Sequence, residues 1–166
     1  MDSIEQFFSS SNFDVLIKQA LEKDIIHIGN NTDTAISGFG LCTNWTIDCS
    51  PSEFWNTAVL TEEGVEELDS DELYATGSWD GFDQGGDTDA AEITNSIYEQ
   101  MWAACEDLDD EEAFYEHVRS RCAEILVSCI PLIKQHFTTT EHFFVSIAEH
   151  DEECEAKERM AKLLAA

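Results

Sequence analysis

No lysine or arginine occurs between Asp24 and Val118, a stretch of 95 residues that carries 24 of the chain's 36 carboxylates. The eight basic residues stand only in the flanks, from Lys18 to Lys23 and from Arg119 to Lys162, so the chain is polarised along its length as well as acidic. A net charge of -28 far exceeds the roughly 2 to 8 units that keep a small domain soluble, and the surplus costs stability through self-repulsion. Such a surface repels nucleic acid and anionic membranes and accelerates encounter with basic partners. The expected partner is therefore a basic protein, with no nucleic acid and no membrane. A habitat or solubility trait of the halophilic kind is the alternative, but it would spread acid over the whole surface, whereas the flanks keep ordinary Lys and Arg.

Other absences narrow the chemistry. No apolar run approaches the roughly 18 residues of a membrane span, and Met1 to Gln6 has neither a basic n-region nor an apolar h-region, so a cytosolic location is expected. Without a secretory signal the six cysteines (Cys42, Cys49, Cys105, Cys122, Cys129, Cys154) are expected to stay thiols, and no C-x-x-C pair exists to hold a metal. His150 with Cys154 is the nearest half-site for zinc, and further ligands are not evident. The Asn30-Asn31-Thr32 and Asn44-Trp45-Thr46 sequons carry no information in a chain that is not secreted. Five scattered histidines show no H-E-x-x-H spacing. No G-x-S-x-G, Walker loop or G-x-G-x-x-G is present, and no frame of the Asp-rich middle supplies the acids, Gly and Glu of an EF-hand. Carboxylates this dense give some close pair in any fold, so no acid pair is singled out as catalytic. The expectation is no enzyme, no metal and no cofactor.

What is present is a core. Hydrophobic residues make up 43% of the 166, with ten Phe and four Trp, enough for one domain that buries about 70% of its unfolded surface. Ile4, Phe7, Phe8, Val15, Leu16, Leu21 and Ile25 recur at helical intervals over residues 3 to 26, with an interruption around Ser9 to Asn12. Ala35 to Cys42 is glycine-interleaved and apolar, which predicts a strand approached closely by another backbone; Asn56 to Leu60 predicts a second. Thr61 can cap a short acidic helix reaching Leu68, whose early carboxylates sit at the positive end of its dipole. Asp69 to Asp89 is punctuated by Gly and Asp and reads as a loop with one strand near Tyr74 to Trp79. Two helices follow, Asp89 to Cys105, with Ile93, Ile97, Met101 and Trp102 on one face, and Asp110 to Phe137, which Pro131 should kink or shorten. Six acids in the seven residues Glu106 to Glu112 join them. Cys122 and Cys129, seven apart, share a helix face as small buried hydrophobes. His142 to Ala148 predicts a strand, and a terminal helix from about Asp151 runs from acid to base along its dipole. The order predicts an α+β fold, a small antiparallel sheet covered by helices in a single domain.

Phe39-Gly40-Leu41-Cys42-Thr43, then Asn56 to Leu68 (Asn-Thr-Ala-Val-Leu-Thr-Glu-Glu-Gly-Val-Glu-Glu-Leu), then the Trp-bearing Tyr74 to Asp80 together resemble a bacterial domain family of unknown function. Its genes occur beside polymorphic toxins as presumed immunity proteins. The resemblance covers about 45 residues, carries no catalytic signature, and departs from the family in the Asn44 to Phe54 insert and in charge. It implies a small cytosolic α+β antitoxin. The resulting expectation is an immunity-type protein that neutralises a cognate basic toxin by occluding its active site. The contact surface is expected on the Asp69 to Asp89 loop, with Trp79 and Phe82 as apolar anchors that could equally plug the core, and Asp80, Asp83, Asp87 and Asp89 as charge partners. Glu106, Asp107, Asp109 and Asp110 form a second rim. The rival is a DNA-mimic inhibitor of a restriction, repair or defence enzyme. Surface scaling gives roughly 300 Å² per net charge, against about 100 Å² for duplex DNA. Oligomeric state is left open by the sequence.

Overall fold

The computed structural model describes residues 3–43, 54–82, 85–149, 152 and 154–165. The N-terminal helical pattern is two helices, α1 (Ser3–Ser11) and α2 (Phe13–Asn30). They part at Asn12, whose φ of 53° places it in the left-handed region that asparagine tolerates better than most residues. The break turns Phe7, Phe8 and Phe13 inward together, and Phe7 meets Phe114 edge-on at 5.2 Å between ring centroids.

Three strands follow from the glycine-rich and apolar runs: β1 (Ile36–Thr43), β2 (Asn56–Thr61) and, far along the chain, β3 (Thr139–Glu149). Their order is β2-β1-β3, with β1 buried along all eight residues. The expected all-antiparallel sheet is in fact mixed, because β1 pairs antiparallel with β2 and parallel with β3. A parallel partner needs a long crossover, here the helical chain of α4 (Thr88–Cys105), α5 (Glu111–Ser128) and α6 (Ile130–His136). The α5–α6 break falls where Pro131, without an N–H, could not continue the ladder. The short helix α3 (Glu62–Glu67) begins under the Thr61 cap as expected, the side chain accepting from the Gly64 N–H at 3.0 Å.

Strand alternation divides the sheet between two cores. Phe39, Leu41, Val59, Val145 and Ile147 join the large cluster built with the helices. Ala58, Leu60 and Phe144 meet Trp79, Val65, Leu68, Leu73 and Phe82 in a smaller one. Residues 62–82 therefore cover the face of the sheet opposite the helical layer. No strand forms near Tyr74 to Trp79; Thr76–Ser78 is a single 3-10 turn, bonded to the sheet by the Thr76 hydroxyl donating to the Leu41 carbonyl at 3.0 Å, and the backbone pairing of this segment with a strand among the described residues is the Val59–Gly81 bridge. That bridge closes the outer edge of β2, with paired N–H···O bonds of 3.0 and 3.1 Å.

The pairing of β3 is less regular. Its register against β1 slips between Ile36 and Gly38, so that Thr139 and Phe144 become their respective partners, and the residues between them bulge. Further along, Arg159 of α7 (Cys154–Ala165) donates to the Ile147 carbonyl at 2.9 Å, to Glu152 at 2.6 Å and to Glu116 of α5 at 3.0 Å. Its side chain is 8% exposed. Burial alone would lower the pKa of Arg159, and the hydrogen bonds to Glu152 and Glu116 reverse this and raise it. Glu116 is pulled below the usual carboxylate range, its burial outweighed by Arg159 and Arg119. The helix α7 buries Ala156 and Met160 completely, and the clasp adds to that packing a bonded attachment to α5 and β3.

Candidate partner-binding surface

The central loop contributes less free surface than its composition suggests. Trp79 is 3% exposed, so its ring is an interior plug and not the surface anchor expected from the sequence. The indole N–H donates to the Leu73 carbonyl at 3.0 Å, and the ring meets Phe144 edge-on at 5.7 Å. The glycines of β1 make this possible. A Cβ at Gly38 or Gly40 would lie 3.0 Å from the Trp79 Cη2 atom, and at Gly40 also 2.7 Å from the Ser146 carbonyl oxygen. The close approach read from Gly38-Phe39-Gly40 is thus made by an aromatic side chain as well as a neighbouring strand. Phe82 is half-buried against the same cluster.

The described charge partners expected on the loop, Asp80, Asp87 and Asp89, each have a partner within the fold. Asp80 is exposed, but its carboxylate accepts from the Thr61 N–H at 3.0 Å and pairs with the Thr61 hydroxyl, fixing the start of α3. Asp87 is half-buried and caps α4 by accepting from the Ala90 N–H at 3.1 Å. Asp89 is exposed and lies 3.7 Å from Lys23 Nζ. Asp83, Cys49, His150 and the Asn44-Trp45-Thr46 sequon lie outside the described residues.

One carboxylate escaped notice in the sequence. Asp24, in α2, is 3% exposed. It accepts from the Trp55 indole N–H at 3.1 Å and from the Asp87 N–H at 2.7 Å, joining α2 to the approach to β2 and to the start of α4. Burial pushes its pKa up, against the pull of those two donors. The signal was present: Asp24 stands three residues after Leu21 and four before Ile28, both core residues, so it had to face inward.

Free acid gathers in two other places. Glu62, Glu63, Glu66, Glu67, Asp69 and Asp71 are exposed and Glu72 is half-buried, making an acidic ridge of α3 and the turn after it. None of the seven forms an ion pair among the described residues. Glu106, Asp107, Asp109 and Asp110 are exposed at the junction of α4 and α5, with Asp110 also capping α5 through the Ala113 N–H at 3.0 Å. The junction belongs to helices α4 and α5, and the ridge to the segment that packs on the smaller core of the sheet. Just before the junction Trp102 is 38% exposed, in place of the inward position expected for it.

Cys122 and Cys129 are buried as the helical spacing predicts, and burial pushes both thiols up, away from reactivity. No group of metal-ligating side chains occurs among the described residues, and no helix there is long and apolar enough to cross a membrane. The surface of 8701 Å² shared among 28 net negative charges is about 310 Å² each, some threefold sparser than duplex DNA. No protein-family model, curated protein or solved structure matches this chain.

Proposed function

We propose that the protein is a cytoplasmic immunity-type binding protein, not an enzyme, that neutralises a cognate basic toxin by covering its active site with acidic surface. The observation that carries the reading is the ridge of α3 and the following turn. It places seven carboxylates that have no ion-pair partner among the described residues, on a segment pinned to the sheet by the Thr61–Asp80 bonds and the Trp79 core. A surface charged in this way and held rigid steers a basic partner and is already arranged to receive it. The resemblance of Asn56 to Leu68 to the immunity-associated family runs through the same residues. The mean charge density, some threefold sparser than that of duplex DNA, favours this reading over DNA mimicry.

The test is affinity capture at low salt, followed by kinetics and an activity assay on the captured basic protein. Its association rate should fall steeply as salt rises, because exposed charges steer only within a Debye length of about 8 Å at physiological ionic strength. Replacing Glu62, Glu63, Glu66 and Glu67 together by Gln should slow association further, and the native chain should abolish the partner's activity. A salt-independent on-rate, or a partner that stays active when bound, would defeat the proposal; capture of a DNA-processing enzyme would favour mimicry.

A further inference from the structure

Trp102 differs from the other described tryptophans in two respects. Trp55 and Trp79 are buried and each satisfies its indole N–H, on Asp24 and on the Leu73 carbonyl. Trp102 is 38% exposed, and its N–H has no partner among the described residues. Its ring nonetheless has an aromatic neighbour in the core. Tyr98, one turn earlier and 3% exposed, lies against the ring at 6.4 Å with an interplanar angle of 32°, and Tyr98 is itself met edge-on by Phe54 at 6.4 Å.

Carboxylates flank this ring. Glu99 lies three residues before Trp102 and Glu106 four after, and Glu106 keeps helical dihedrals (φ -58°, ψ -28°), so both side chains share the helix face of the indole. Both are exposed, and neither forms an ion pair among the described residues. An exposed indole with a carboxylate one turn to either side of it along the helix suits a planar cation. A guanidinium can stack on the indole while its edge N–H groups donate to carboxylate oxygens, whereas an ammonium is a compact, strongly hydrated point charge. A second copy of the chain is a poor occupant, since each brings a net charge of -28.

We infer that Trp102, Glu99 and Glu106 form a receptor for an arginine side chain of a basic protein partner. The inference rests on the basic-partner reading above and assigns it a second point of contact, on the helical layer. Fluorescently labelled hexa-arginine and hexa-lysine peptides of equal length provide the test, with affinities read by anisotropy at low and physiological salt. The native chain should bind the arginine peptide about two- to fivefold tighter than the lysine peptide. Trp102→Ala should erase that preference, Trp102→Phe should retain part of it, and Glu99→Gln with Glu106→Gln should weaken both peptides. Far-ultraviolet circular dichroism verifies that each variant is folded. Equal affinities on the native chain, or a preference that survives Trp102→Ala, overturns the arginine assignment while leaving the basic-partner reading intact. Failure of both peptides to bind at low salt counts against both. Self-association that is lost in Trp102→Ala would give the surface to a second copy and also overturn the inference.

Discussion

Replacing Trp79 with alanine would remove an indole that fills the space above Gly38 and Gly40, leaving a hole walled by Ala58, Leu60, Phe144 and the Thr76 turn. The glycines have no side chains with which to collapse into it, and the Leu73 carbonyl would lose its donor. Buried Trp→Ala changes cost about 3 to 5 kcal/mol, and the rigid β1 backbone beneath puts this site toward the upper end. For a chain of this size each kcal/mol lowers Tm by about 2 to 4 °C, so a fall of roughly 10 °C or more is expected. Urea denaturation and thermal melts followed by circular dichroism measure it. The variant should lose partner binding only in proportion to its unfolded fraction, since the ring is not at the surface. A Trp79→Ala chain with native Tm and weakened binding would refute the interior assignment and return the ring to a contact role.

Arg159→Met should cost about 3 kcal/mol, the low end for breaking a buried pair because Glu116 is half in solvent. The loss should appear first as rapid proteolysis and amide exchange within α7, ahead of global unfolding; uniform protection would contradict the clasp. Asp24 has its folded pKa raised, so its contribution is fully present below the ordinary carboxylate range of about 4 and is lost as pH rises through the raised value. Asp24→Asn should flatten the stability–pH curve in that window, read by urea titrations at successive pH, and an unchanged slope would refute the assignment. Glu116 has the opposite sign: its lowered pKa gives stability that is present above about 4.3 and lost as pH falls through the depressed value. Glu116→Gln should therefore remove acid sensitivity at the low end, by the same titrations.

Much of the fold was legible because it depends on local signals. The Thr61 cap, the interruption near Asn12, the stop at Pro131 and the apolar strands each follow from a few adjacent residues. Strand direction did not follow, since whether β3 runs with or against β1 depends on how α4 to α6 fold back, and no residue in either strand encodes that. The site was harder to read. Asp80, Asp87 and Asp110 read as free charge because a carboxylate that caps a helix or holds a turn looks no different in sequence from one that faces solvent. The tryptophans are ambiguous for a related reason: a ring among acids, Trp79, suits a surface anchor and a core plug equally, and Trp102, in an apolar helical stripe, reads as inward. The two glycines facing Trp79 and the edge of the α4 stripe settle the two cases.

The parallel pairing of β1 with β3 has a consequence for how the chain comes into being. Ser37 bonds to Thr140 across 103 residues, yet β1 is the strand most completely enclosed in the finished protein. During synthesis β1 and β2 emerge early and can pair as an antiparallel ribbon, and such a ribbon alone is marginal in water. One edge of β1 and its apolar face then wait for α4 to α6 and finally β3, near the end of the 166 residues. Contacts this distant fold slowly and leave strand edges open to wrong partners meanwhile. In that interval the unbroken acidity from Asp24 to Val118 gives nascent chains a mutual repulsion that no later contact has to supply.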